Sequence, residues 1–251
     1  MAKRDTKVLA VIPARGGSKR IPRKNTRELG QLPLIAYVIN AAKNAKLIDH
    51  LIISTDDDEI ERIAISWHVS VPYRRPAPLS TENAKLISVI KHAFNYYKEK
   101  HIFYDAVLSI QPTCPFITPQ VIDQVIQLWM ETKCDSVSTV TEITHGHPYI
   151  AKRVLKDNQI EDFCEVPPAA SRDPRQRESA YYLSGSLYLR SKSLLESDDS
   201  TPHCLGRDAR GVIVDGITSF DIDVELDFNF AEYLIASKVV QGKGNISSYE
   251  A

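Results

Sequence analysis

The sequence predicts an α/β fold built on a doubly wound, mostly parallel sheet, and three observations carry that expectation. Short runs without a polar residue, such as Val8-Leu9-Ala10-Val11-Ile12 and Leu51-Ile52-Ile53, have the pattern of strands buried on both faces. Between such runs lie stretches with apolar residues at helical spacing, and this alternation marks a parallel sheet covered by helices. Finally, 251 residues suffice for one large core, and no repeat or low-complexity tract divides them. One domain over residues 1–251 is expected.

The composition is that of an ordinary globular chain, 43% apolar and 25% charged with a formal net charge of −1. With no basic excess, nucleic acid is not an expected partner. The opening Met1-Ala2-Lys3-Arg4-Asp5 lacks the apolar core of a signal peptide, and no apolar run reaches membrane-spanning length. Cys114, Cys134, Cys164 and Cys204 are scattered without a C-x-x-C pair, which favours reduced thiols over disulfides or zinc. A cytoplasmic address without a membrane partner follows as the expectation.

The first strand stops at Pro13 and opens into Ala14-Arg15-Gly16-Gly17-Ser18-Lys19-Arg20-Ile21-Pro22-Arg23-Lys24-Asn25. Paired glycines permit positive φ, which lets N–H groups converge on an anion. Arg15, Lys19, Arg20, Arg23 and Lys24 add point charges and bidentate forks for phosphate oxygens. So much positive charge in one loop suits a polyphosphate. A solvated turn or a nucleic-acid patch would use the same residue types, but ligands of open α/β sheets bind at the carboxyl ends of strands, where this loop lies. It matches neither G-x-x-x-x-G-K-[ST] nor G-x-G-x-x-G.

Leu34 to Ala42 reads as a helix buried on one side. The second strand, Leu51 to Ser54, runs into Thr55-Asp56-Asp57-Asp58-Glu59, a helix start with a cap and first-turn carboxylates; a metal site is the competing reading of those acids. Val69 and Val71 mark a third strand, followed by Arg74 and Arg75 fenced between Pro72 and Pro76. A helix over 85–100 repeats Ile87, Ile90, Phe94 and Tyr97, with His92 and His101 read as surface residues. The fourth strand, Ala106 to Ile110, ends in Gln111-Pro112-Thr113-Cys114-Pro115, where the glutamine can offer a ligand both a donor and an acceptor. Thr118-Pro119 supplies a helix cap and first-turn proline, and Asp135 to Val140 alternates as a strand.

From 141 to 184 the pattern breaks into short charged pieces and a loop rich in proline and arginine. His145-Gly146-His147 has metal-ligand chemistry, but without a third ligand nearby it reads as a turn, and Arg172 to Arg177 reads as a solvated loop. Further on, Ser219-Phe220-Asp221-Ile222-Asp223 places two carboxylates on one side of an expected strand. Same-facing aspartates repel unless a cation or donor lies between them, and their oxygens suit Mg²⁺, although an exposed strand end would give the same pattern. A closing helix spans Glu225 to Val240.

Taken together these stretches resemble the acylneuraminate cytidylyltransferases, the CMP-sialic acid synthetases and their bacterial relatives that activate legionaminic and pseudaminic acids. Ile12 to Lys19, Pro22 and Lys24-Asn25 match the family's signature loop. Ser54-Thr55-Asp56, Gln111 to Pro115, His147-Pro148-Tyr149, Arg175-Gln176 and Asp221-Ile222-Asp223 match further motifs, so the likeness runs from about Val8 to Tyr233. It implies a Rossmann-like nucleotidyltransferase sheet and a Mg²⁺-dependent reaction of CTP with a nine-carbon 2-keto acid sugar, giving the CMP-sugar and pyrophosphate for cell-surface glycans. By that resemblance Ala14, Arg15, Gly17, Ser18, Lys24, Asn25 and Arg74 hold the nucleotide. Gln111, Arg175 and Tyr182 contact the sugar, Asp221 and Asp223 hold Mg²⁺, and Arg175, Asp221 and Lys24 are the catalytic set. Residues 141–184 become a dimerisation arm and sugar-side loop, and the assembly a homodimer.

The chain departs from the pattern at Glu82-Asn83, Cys114, Tyr182 and Ser184. The last two stand where relatives carry arginine and asparagine, which puts the identity of the sugar in question and favours a bacterial di-N-acetylated one. No side chain stands out as general base. Activation of the eight-carbon acid Kdo is the alternative enzyme, opposed by the Gly-Gly-Ser-Lys loop and the His-Pro-Tyr arm. A regulatory module that binds CTP without turnover is the alternative outside catalysis, opposed by the Asp221/Asp223 pair.

Overall fold

The computed structural model describes residues 6–171, 173 and 176–240. In chain order the elements begin with β1 (Val8–Pro13), the short hairpin β2 (Glu28–Leu29) and β3 (Leu32–Pro33), α1 (Leu34–Asn44), β4 (His50–Ser54) and α2 (Asp58–Ser66). Then come α3 (Leu86–Glu99), β5 (Ala106–Ile110), α4 (Pro119–Thr132), β6 (Ser136–Glu142) and the small hairpin β7 (Lys152–Val154) and β8 (Ile160–Asp162). The chain closes with β9 (Tyr181–Ser191), α5 (Lys192–Glu196), β10 (Ala209–Ile213) and α6 (Glu225–Ala236). Among these helices none is long and apolar enough to cross a membrane.

Six strands form the central sheet in the order β10-β6-β9-β5-β1-β4, with β1 parallel to both β4 and β5 and β10 parallel to β6. The doubly wound, mostly parallel expectation holds. Alternation along β1 explains why: Val8, Ala10 and Ile12 face one layer with α1, α2 and α4, while Leu9 and Val11 face α3 on the other side. Helices α2 and α4 start where the chain supplies a side-chain cap. Asp57 accepts the N–H groups of Glu59 and Ile60, and Thr118 accepts that of Val121 ahead of Pro119.

One strand runs against the rest. β9 inserts antiparallel between β5 and β6, and its register jumps: Ser138 pairs with Tyr188 but Val140 with Leu183. The intervening residues bulge around Gly185, at φ +81°, and the Thr139 hydroxyl fills the gap by accepting the Leu187 N–H at 3.2 Å. At its end the bulge gives the Ser186 carbonyl to the backbone N–H of Gln111 at 2.9 Å, which ties β9 to the loop leaving β5.

Two expected strands are not strands. Residues 69–75 run extended beside β4 but form only isolated bridges, Ser70 to Ile52 and Arg74 to Thr55, because Pro72 interrupts the ladder with no N–H to give. Residues 219–223 form a turn and an extended link that is tied to the loop after β5 by a backbone bond from Ile222 N–H to the Thr113 carbonyl at 2.9 Å. A third apolar cluster explains that link. Ile21 from the cationic loop, Ile222 from between the two aspartates, Phe116, and Phe228, Ala231 and Leu234 of α6 bury one another. Burial of Ile222 turns both neighbours outward, so the shared face expected of Asp221 and Asp223 survives without the strand.

Candidate functional site

The loops leaving β1, β4 and β5 converge at the carboxyl end of the sheet, as open α/β folds place their ligand sites. Between them lies a cleft of about 270 Å³. It is lined by Arg15, Ser18, Lys24 and Asn25 of the cationic loop, by Leu79, Thr81, Glu82, Leu86 and Val89, and by Gln111 and Thr113 after β5.

The cationic loop is seated on the start of α2. Gly16 N–H donates to the Asp56 carboxylate at 3.1 Å, and Asn25 Nδ2 donates to the Arg15 carbonyl at 3.0 Å. The glycines do not supply the positive φ expected of them; within this loop it falls on Arg23, at +55°. Gly16 is required for space instead. A Cβ there would stand 2.9 Å from both the Cβ and Cγ of Asp57, whereas at Gly17 nothing lies within 4 Å. The acidic run at 56–59 is thereby accounted for without a metal: Asp56 holds the loop, Asp57 caps the helix, Asp58 pairs with Arg74, and Glu59 pairs with Arg23.

Two buried polar atoms in this cleft have no partner among the described residues. Asn25 Oδ1 is an unused acceptor on a residue 6% exposed, and Gln111 Nε2 is an unused donor. Buried polar groups are ordinarily satisfied, so this pair marks where a ligand with its own donors and acceptors would sit.

Beside the cleft stand Asp221 and Asp223. Asp221 touches solvent but is crowded by protein atoms, and burial raises its pKa, with the Asp223 charge adding to the rise and a hydrogen bond from Thr113 and the charge of Lys24 opposing it. Lys24 reaches both sides: its ammonium donates to the Ile222 carbonyl and lies 3.6 Å from Asp223 Oδ1. No group of three or more His, Cys, Asp or Glu is arranged for a metal among the described residues. Mg²⁺, however, is usually held by one or two carboxylates together with substrate phosphates, and a crowded Asp221 with the exposed Asp223 beside it, next to a phosphate-type loop, fit it.

A family model described as cytidylyltransferase matches residues 9–197. The chain belongs to this family. A post-translational flagellin modification protein B from Campylobacter coli is 31% identical over 95% of this chain and 99% of its own. A CMP-N,N'-diacetyllegionaminic acid synthase from Legionella pneumophila is 31% identical over 91% and 96%. Among solved structures, a CMP:2-keto-3-deoxy-manno-octonic acid synthetase in complex with CTP shares the fold with a TM-score of 0.68 at 18% identity, covering 93% of this chain and all of that one. The resemblance to CMP-sialic acid synthetases and their bacterial relatives is thus borne out at the level of the family.

In this cytidylyltransferase the structure brings Arg15, Ser18, Lys24, Asn25 and Gln111 together as lining of the cleft, whereas Ala14 is buried in the core and Gly17, on the same loop, does not line it. It does not bring Arg74 there. That side chain is exposed on Asp58, and the arginine lining the cleft is its neighbour Arg75, 4% exposed. Arg75 donates from Nε to the Ser54 hydroxyl at 3.1 Å and from Nη2 to the Ser54 carbonyl, and burial lowers its pKa. The bridge from Arg74 to Thr55 decides which arginine turns inward, and sequence carries no sign of that pairing. Tyr182 lies on β9, 48% exposed and away from the cleft lining, and Ser184 is turned into the sheet on the Thr139 hydroxyl at 2.7 Å. Arg175 and Arg172 lie outside the described residues. His147 uses both ring nitrogens locally, Nδ1 accepting from Tyr149 N–H and Nε2 donating to the Glu178 carbonyl, which is the turn rather than a metal site. Thr113, Arg75 and the apolar Leu79, Leu86 and Val89 are among the cleft residues that sequence reasoning missed.

Proposed function

We propose that this cytidylyltransferase joins CTP to a nine-carbon 2-keto acid sugar, releasing pyrophosphate and giving the CMP-sugar. One observation carries the reading: Lys24 links a polyphosphate-type loop to the Asp221/Asp223 pair beside the same cleft. Arg15, Ser18 and Lys24 hold the triphosphate, while Asn25 Oδ1 accepts from a hydroxyl of the nucleotide. Leu79, Leu86 and Val89 offer the base an apolar wall with Arg75 at its edge. Gln111, with its unused donor, stands on the sugar side. The sugar's anomeric hydroxyl attacks the α-phosphorus in line, so the chain's task is positioning and charge compensation rather than covalent catalysis. Asp221 and Asp223 would hold Mg²⁺, which offsets charge on the reacting phosphates and on pyrophosphate. Arg175 is assigned to the sugar carboxylate or the transferring phosphate.

The arm supports a homodimer. Ile150, Val154, Ile160 and Phe163 are all more than half exposed there, with Val154 opposite Ile160 across β7 and β8, and a second copy would cover them. Four cysteines without a disulfide fit a reducing compartment, the cytoplasm.

The decisive assay is pyrophosphate release from CTP and Mg²⁺ with N-acetylneuraminic, legionaminic and pseudaminic acids and Kdo in parallel. Turnover of one nine-carbon acid is expected, with a di-N-acetylated sugar preferred over N-acetylneuraminic acid. Preference for Kdo would replace the substrate class. CTP binding without turnover of any acid would make the chain a nucleotide sensor.

A further inference from the structure

The carboxylate assigned to the metal is already engaged. Asp223 Oδ1 lies 3.6 Å from Lys24 Nζ and its Oδ2 lies 3.4 Å from Arg20 Nη1, so each oxygen faces a cation of the phosphate-side loop. Lys24 is the more constrained of the two, with a side chain 12% exposed and its ammonium also fixed on the carbonyl of Ile222 between the aspartates. The arrangement is repeated across the cleft, where Lys19 pairs with Glu82 at 2.7 Å. Lys19, Arg20 and Lys24 of the phosphate-side loop are thus each paired with one of the protein's own carboxylates.

A divalent ion approaching Asp223 would meet an ammonium and a guanidinium at short range, and like charges that close oppose one another even where solvent screens them in part, most of all at the shielded Lys24. A triphosphate changes the balance. It offers Lys24 and Arg20 several charged oxygens in place of one carboxylate, and their departure frees Asp223 for a cation.

Resting on the nucleotide reading above, we propose that Lys24 and Arg20 are resident counter-ions of Asp223, so that a divalent ion gains this carboxylate only when a nucleotide polyphosphate draws the two side chains away. Metal and nucleotide binding are then positively and reciprocally coupled. The coupling keeps the site from filling with metal in the absence of substrate.

The test is Mn²⁺ binding to the full chain, followed by electron paramagnetic resonance with no sugar present and hence no turnover. Wild type is expected to bind Mn²⁺ weakly alone and at least about tenfold more tightly with CTP. Lys24→Met should bind Mn²⁺ alone about tenfold more tightly than wild type, as expected for removal of one partly screened like charge. Arg20→Met should move the same way but less, its side chain being 69% exposed. Adding Asp223→Asn to Lys24→Met should erase the gain. The proposal is overturned if wild type binds Mn²⁺ equally well with and without CTP, or if Lys24→Met and Arg20→Met leave the nucleotide-free affinity unchanged. Should Lys24→Met lose its fold by circular dichroism, the exposed Arg20→Met decides. Failure of CTP to bind by calorimetry would instead overturn the nucleotide reading, while the nucleotide-free Mn²⁺ comparison still judges the counter-ions.

Discussion

Gly16→Ala and Gly17→Ala, adjacent and chemically identical changes, should have opposite outcomes. An added methyl at Gly16 stands 2.9 Å from the Cβ and Cγ of Asp57 and nearer still to a carboxylate oxygen. Asp57 cannot swing clear cheaply, because its carboxylate caps α2 through the N–H groups of Glu59 and Ile60. Overpacking of this kind costs about 1–3 kcal/mol, and abandoning the cap about 1 kcal/mol more. A net loss of about 2–3 kcal/mol corresponds to a fall in Tm of about 5–10 °C for a chain of this size. At Gly17 nothing lies within 4 Å and φ is not in the left-handed region, so alanine should be neutral or slightly stabilising, by about 0.5 kcal/mol through the unfolded chain. Paired thermal melts of the two variants make the measurement. The double variant Gly16→Ala/Asp57→Gly adds a control, since glycine caps a helix at a cost of only a few tenths of a kcal/mol and removes the obstructing atoms. Equal Tm values for the two single variants, or no recovery in the double, would refute the steric account of this loop.

Arg75→Met should weaken CTP binding by about 10–100-fold in calorimetry, the worth of a charged hydrogen-bonding group, whereas Arg74→Ala should change it less than about twofold. Thr113→Val removes the hydroxyl that bonds Asp221 and should raise the Mg²⁺ concentration for half-maximal pyrophosphate release about tenfold with the melt unchanged. Burial holds the folded-state pKa of Asp221 above its unfolded value, so the folded chain binds that proton more readily and loses stability as pH rises from the ordinary carboxylate range through the raised folded value. Asp221→Asn should therefore melt higher than wild type in metal-free buffer above that window and not below it, while pyrophosphate release falls about 10²–10³-fold.

Where local rules govern, the sequence was legible. The apolar run of β1 and the caps at Asp57 and Thr118 depend on residues close in the chain, and each forms as expected. The place of the cationic loop followed from the strand-end rule, and that of Gln111 from its position at the end of β5 together with the family resemblance. What escaped depends on distant partners. β9 reads weakly because Ser184, Gly185 and Ser186 interrupt its apolar character, and their place in the sheet rests on Thr139 across the strand boundary. The family resemblance points to Arg74, whereas the backbone bridge from Arg74 to Thr55 leaves Arg75 as the arginine that lines the cleft. Asp221 and Asp223 share a face for a reason other than strand pleat: Ile222 is anchored in a core that also holds Ile21.

The way the arm leaves and rejoins the sheet has an evolutionary consequence. Glu142 and Tyr181, the residues on either side of the excursion, are cross-strand neighbours in the β6–β9 ladder. Everything from 143 to 180 therefore starts and finishes at one place, and loop-closure entropy changes only slowly with the length of what lies between. Such a segment is a replaceable cassette: it can be lengthened, exchanged or cut back to a plain hairpin turn while the ladder beneath it stays paired. A lineage could thus change what the arm presents, a partner surface or a sugar contact, without renegotiating the nucleotide loop some hundred residues earlier in the chain.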